Sequence, residues 1–297
     1  MKSAVAKFSS YAATRATRPL SIRSFMTTAK LSAATPPPRA SENGAINPRW
    51  LSELQHRLKK SLSLQLAPEK AETVKDRLAY LDKNWLMLSA GREGFLAEPE
   101  RRGVDGHAIQ WGDMVRMCYS SDDVLSESST DLVLVIRHVN NVIYNRFAES
   151  GRVNWTRKLA QFTDPKYEQE WFDLMTPKGI GLILASIRTD FKFPMTFPDR
   201  ITVLHKLVTK PDYSSDRFYL DVVVYSEQQR RPAAKCFEDI VVYDYKAAKK
   251  APLKPFMVDE LRATFDLQEL RKQDTEKKIA ELHEFLEQVE GSAGTVQ

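Results

Sequence analysis

The chain has 297 residues, 42% hydrophobic and 28% charged, with a formal net charge of +5. That is the composition of an ordinary globular protein large enough to bury a full core, and it excludes disordered, collagenous and disulfide-scaffold classes. Seven of the 44 basic residues (Lys2, Lys7, Arg15, Arg18, Arg23, Lys30 and Arg39) lie in residues 1–40, which hold no acid; the remaining 37 face 39 acidic residues, so the body offers no electrostatic footprint for nucleic acid.

Residues 1–40 are rich in Ser, Thr, Ala and Arg and lack the apolar core of a secretory signal, which predicts a mitochondrial transit peptide and a matrix location. Arg23-Ser24-Phe25-Met26-Thr27-Thr28 resembles the pattern near matrix-protease cleavage sites, and a proline-rich joint, Pro36-Pro37-Pro38, follows. No run reaches the length of a membrane span. The two cysteines, Cys118 and Cys236, have neither metal-ligand spacing nor a disulfide framework, and no metal site is expected.

Residues 41–100 read as a helical prefix. Asn47–Leu62 has an Asn cap, Pro48 at the first helical position, and Trp50, Leu51, Leu54, Leu58 and Leu62 at helical spacing. A second helix is predicted at Pro68–Ser89, with Val74, Leu78, Leu81, Trp85 and Leu88 on one face. The main domain, residues 101–256, opens with a predicted strand at His107–Met117 and a long helix at Asn140–Gln161. Gly151 sits inside that helix at a cost of about 1 kcal/mol relative to alanine, and close approach of the helix to a sheet would account for it. Four strands then follow in meander order: Ile180–Phe191, Asp199–Thr209, Arg217–Tyr225 and Ala233–Tyr245. Their connections are too short for crossover helices, so the expected class is α+β, an antiparallel sheet covering one central helix. Residues 257–297 carry a charged helix, Val258–Gly291, whose seam of Ile279, Leu282, Leu286 and Val289 suits either a partner helix or its own domain.

His138-Val139-Asn140-Asn141, with Tyr144, Glu149 and Arg152, resembles the signature of hotdog-fold acyl thioesterases of the 4-hydroxybenzoyl-CoA and acyl-carrier-protein group. The likeness extends from about Trp50 to Phe256 and is similar in detail to fungal mitochondrial thioesterase-like proteins, which share a helical prefix and a segment like Gly91–Leu96. The resemblance implies hydrolysis of a thioester of coenzyme A or acyl carrier protein, no cofactor beyond that substrate, and a homodimer. Independently of any family, backbone N–H groups at a helix start stabilise a developing oxyanion. Val139, Asn140, Asn141 and Tyr144 are the candidate substrate contacts; Asp113, His138 and Glu149 are the candidate catalytic groups. The plainer alternatives are an Asn cap, a structural histidine, and a Glu149 paired with Arg146 or Arg152.

The family pattern resembles W-G-(D/E)-M-D-x-F-(G/R)-H-V-N-N. Here Trp111-Gly112-Asp113-Met114 and Arg137-His138-Val139-Asn140-Asn141 are both present, but 22 residues (115–136) separate them and Leu134 stands where the second acid belongs. Either a surface insertion loops out and returns Asp113 to the site, or the segment marks a retained intron or displaced splice junction in the gene. A non-catalytic assembly module using the C-terminal helix is the alternative function, and hydratase chemistry is a weaker third.

Overall fold

The structure, a computed structural model, describes residues 49–63, 66–114 and 138–293. The predicted leader, Cys118, Leu134 and the 115–136 segment lie outside the described residues, and the expected cap is corrected, since the first helix begins at Trp50 with Arg49 as its N-cap. Two helices, α1 (Trp50–Ser61) and α2 (Pro68–Gly91), precede β1 (Val104–Ala108), the central helix α3 (Asn141–Lys158), a short α4 (Glu168–Asp173), and the strands β2 (Ile180–Phe191), β3 (Arg200–Leu207), β4 (Arg217–Ser226), β5 (Arg231–Asp244) and β6 (Lys249–Lys250). The chain closes with α5 (Pro255–Ala293).

All pairings are antiparallel, and the strand order is β1-β3-β4-β5-β2, with β6 beside β5. The expected four-strand meander is therefore corrected. Only β3, β4 and β5 follow one another in space; β2 crosses to the far edge and pairs with β5 along Ile180↔Asp244 to Phe191↔Ala234. The crossing places the first strand after α3 and the strand before it on opposite edges of the sheet. The strand predicted at His107–Met117 is also corrected: β1 begins three residues earlier, at Val104, and ends at Ala108. Gln110–Asp113 turn back as a single 3₁₀ turn in which Gln110 N–H donates to Asp113 Oδ2 at 2.8 Å, and that turn ends the strand.

One face of the sheet packs on α3. Alternate strand residues such as Ile201 and Val203, Leu220 and Val222, and Ile240 and Val242 share a buried cluster with Ile143, Tyr144, Phe147 and Trp155. Gly151 shows why this helix carries a glycine: a Cβ there would stand 2.7 Å from His205 Cε1 and 2.9 Å from Val203 Cγ1. A second glycine, Gly103, packs directly on the Gly151 backbone, where a Cβ would lie 2.6 Å from its carbonyl oxygen. The helix is thus gripped between β1 and β3 at a spacing that no larger residue fits.

The other face is covered by the prefix. Asn84 leaves helical geometry, with φ −106°, and its side chain donates to Tyr80 O at 2.9 Å, which kinks α2. Beyond the kink, Leu86, Ala90 and Phe95 pack on Leu204, Val223 and Tyr225. Before it, α1 and α2 form a small bundle with the distal part of α5, in which Trp50, Leu54, Leu58 and Leu81 meet Ile279, Leu282, Leu286 and Val289. The α5 seam is thus buried by helices of its own chain. Midway along α5, Gln268 pairs with the Leu207 backbone like a strand residue, accepting from Leu207 N–H at 3.0 Å and donating to Leu207 O at 3.1 Å. No helix among the described residues is long and apolar enough to cross a membrane.

Candidate active site

The start of α3 is built by three segments. Asn140 is its N-cap, with extended backbone (φ −61°, ψ 137°), and its side-chain oxygen accepts from Val142 N–H at 3.2 Å. An asparagine does this because its short amide reaches back to a first-turn donor that has no partner within the helix. On one side, Asn140 N–H donates to Asp113 O at 2.8 Å, and Val139 forms an antiparallel bridge with Met114. On the other, Val139 N–H donates to Met195 O at 2.8 Å. Asp113 and the His138–Asn141 motif therefore meet in space although residues 115–137 separate them in sequence.

These bonds define which donors remain. Val139 and Asn140 N–H are both engaged, Val142 N–H is capped, and Ile143 N–H donates to Asn140 O at 2.9 Å. Asn141 N–H has no acceptor among the described residues, so the first-turn donor on offer is that one, aided by the positive end of the helix dipole. Val139 itself is fully buried. His138 is half-buried, with Nδ1 3.1 Å from Val139 O, and its Nε2 has no partner among the described residues.

The candidate carboxylates separate clearly. Asp113 is half-buried beside the helix start; its Oδ2 accepts from Gln110 N–H, and its Oδ1 has no partner among the described residues. Glu149 is exposed and lies nine residues beyond the cap, about 13 Å along the axis at 1.5 Å per residue. The structure joins Asp113 to the motif and leaves Glu149 outside it. Nor does Glu149 hold Arg152, whose Nη1 donates instead to Glu238 Oε1 at 2.7 Å beneath the helix.

Tyr144 points inward. It is 2% exposed, its hydroxyl accepts from Met195 N–H at 3.2 Å, and its ring meets Phe191 edge-to-face. Burial pushes the phenol above its ordinary range, the Met195 N–H opposes that, and Asp199 adds to the rise. Tyr144 thus supports the Met195 segment from within. Asp199 ties the same segment to the sheet, accepting from Arg200 N–H, Gln228 N–H and Ser226 Oγ at 2.6, 3.1 and 2.6 Å.

Met195 and Phe197 were not legible as site residues, and Trp111 was legible only as part of the family pattern. Met195 acts through its backbone carbonyl, which no side-chain pattern records. Lys246, Lys249 and Lys250, a cluster of basic residues, lie at the end of β5 that pairs with Ile180, away from the Phe191 end beside Tyr144. Lys250 there faces Asp216 at 3.8 Å.

Residues 110–261, just over half of the chain, match the thioesterase-like superfamily. No curated protein sequence matches. Among solved structures, the chain is similar to a thioesterase from Thermus thermophilus complexed with coenzyme A and zinc, at 17% identity, over 43% of this chain and 82% of that one, with a TM-score of 0.33. A 1,4-dihydroxy-2-naphthoyl-CoA thioesterase from Synechocystis matches at 17% identity over 42% and 82% of the two chains, with a TM-score of 0.33. A probable thioesterase from Escherichia coli matches at 23% identity over 43% and 86%, also with a TM-score of 0.33.

Proposed function

The chain belongs to the thioesterase-like superfamily and has its hotdog fold, and on that premise we propose that it hydrolyses acyl thioesters of coenzyme A or acyl carrier protein in mitochondria. The observation that carries the reading is the 2.8 Å bond from Asn140 N–H to Asp113 O, which sets the backbone of an acidic residue against a capped helix start.

In this reading the thioester carbonyl oxygen faces the Asn141 N–H, where charge that develops on oxygen meets a donor already in place. Asp113 takes a proton from a water molecule as the water oxygen bonds to the carbonyl carbon. The oxyanion then collapses, the carbon–sulfur bond breaks, and the thiolate leaves. His138 Nε2, the acceptor nitrogen when Nδ1–H donates to Val139 O, holds the second hydrogen of the attacking water, and the proton taken by Asp113 passes to the sulfur. Acid, thiol and unchanged protein are the products.

The test is release of free thiol from acyl-CoA by the purified full chain. Asp113→Asn is expected to lower kcat on the order of 10²- to 10⁴-fold, while Glu149→Gln has a small effect. The reverse ranking would transfer the base role to Glu149, and absence of turnover across acyl lengths would remove the hydrolytic reading.

The homodimer implied by the resemblance is part of the proposal. What supports it is β2, a twelve-residue edge strand hydrogen-bonded along one side to β5. Such an edge is a template for pairing with another copy. Sedimentation of the purified chain as a monomer would count against it. The mitochondrial location is supported by the acid-free basic leader, and retention of a fluorescent fusion in the cytosol would overturn it.

A further inference from the structure

We propose that Trp111 and Phe197 form the acyl-side wall of this site and select an extended apolar acyl chain over a short or charged one. The inference rests on the thioester reading above and deepens it.

The two aromatics arrive from separate segments, each anchored to the helix start. Trp111 stands two residues before Asp113, whose carbonyl accepts from Asn140 N–H; Phe197 stands two residues after Met195, whose carbonyl accepts from Val139 N–H. The rings meet edge-to-face, with centroids 5.8 Å apart and planes at 89°. Both remain half in solvent, at 49% and 45% exposure. Large apolar side chains gathered beside a polar reaction centre are the composition of a ligand wall, a mostly apolar surface with a few placed polar groups.

The wall has somewhere to lead. Phe197 also lines a depression of about 430 Å³ with Ala108, Ile109 and Pro198, a volume within the range of small-molecule sites. Ile109 N–H donates to Asp199 O at 2.9 Å, so the depression is floored by the same two segments one step further from the helix. Three charged groups also line it: Arg200 and Glu227 face each other at 3.9 Å and largely cancel, and the Asp199 carboxylate is held by Arg200 N–H, Gln228 N–H and Ser226 Oγ. An apolar chain running from the helix start across the Trp111–Phe197 edge finds apolar contact throughout, whereas an acyl group ending in a carboxylate meets no uncompensated cation there and passes Asp113.

The experiment compares kcat/KM for acetyl-, hexanoyl- and lauroyl-CoA in the full chain, Trp111→Ala and Phe197→Ala. In parallel, calorimetry follows the binding of the thioethers S-hexyl- and S-dodecyl-CoA, which cannot be hydrolysed. The expected result is a lauroyl-to-acetyl ratio well above one that falls at least about tenfold in each variant, since each buried methylene adds to binding. An unchanged ratio in variants that still turn over would overturn the wall and leave the thioesterase reading intact. Absence of turnover with every substrate, together with thioether affinity that rises with alkyl length and is lost in both variants, would support the wall and remove the hydrolytic reading. A change in sedimentation of the variants would show that a second copy covers the patch, and the proposal would fall. Trp111→Leu, checked by circular dichroism, separates loss of the ring from loss of the fold.

Discussion

Arg152 Nη1 and Glu238 Oε1 meet at 2.7 Å between α3 and β5, with the arginine 13% exposed and the glutamate fully buried. A buried pair of this kind adds little net stability over apolar packing, but removing one partner leaves an uncompensated charge. Glu238→Ala is therefore expected to cost about 3–5 kcal/mol, and the double substitution Arg152→Met with Glu238→Leu much less. Chemical denaturation of the three variants checks this; equal losses in single and double variants would show that the pair is not what the site depends on.

His205 lies under the same helix and stacks on Trp155, with Nε2 3.3 Å from Ala148 O. Burial, with Arg152 acting in the same direction, lowers its pKa from 6.5 to about 3. The unfolded chain thus binds a proton more readily than the fold does. The stability His205 contributes is full above pH 6.5 and is lost as pH falls from 6.5 toward 3. His205→Gln, which keeps a donor for Ala148 O, is expected to flatten the stability profile in that window. A profile as steep as that of the parent would show that another group titrates there.

Gly151→Ala tests the grip on α3. In an open helix the change would stabilise by about 1 kcal/mol. Here the new methyl would stand 2.7 Å from His205 Cε1, and overpacking of this kind costs about 1–3 kcal/mol. A Tm lowered by several degrees is the expected outcome, and a raised Tm would mean that the helix can move off the sheet.

Asn140→Ala removes the cap bond to Val142 N–H. A stability loss of about 1 kcal/mol is expected, with a larger proportional loss of kcat because the capped turn presents Asn141 N–H. Asn140→Asp keeps an acceptor and should restore stability. If both variants retain full kcat, the helix start is not the oxyanion site.

Leu286→Ala probes the helical bundle. Leu286 is fully buried among α1 and α2 residues, and truncating it is expected to cost about 2–5 kcal/mol. Unfolding followed by Trp50 fluorescence should shift; an unmoved midpoint would argue that α5 is not held there.

The sequence by itself determined the long helices and the strands from Ile180 onward, while the strand before α3 was misplaced. The strand at Ile180–Phe191 has the bounds that its pattern predicts, the α3 helix starts at the asparagine cap, and Gly151 marks a close helix–sheet contact. Period and capping are local, so the residues that cause them are adjacent in sequence. Tertiary structure alone decided that Asp113 returns to His138 across residues 115–137, that β2 pairs with β5 and not β3, and that the α5 seam meets α1 and α2. Each of these is a contact between segments far apart in the chain, set by hydrogen bonds from Asn140 and Val139 to distant carbonyls and by which apolar faces need covering. No local spacing records which distant partner meets that need.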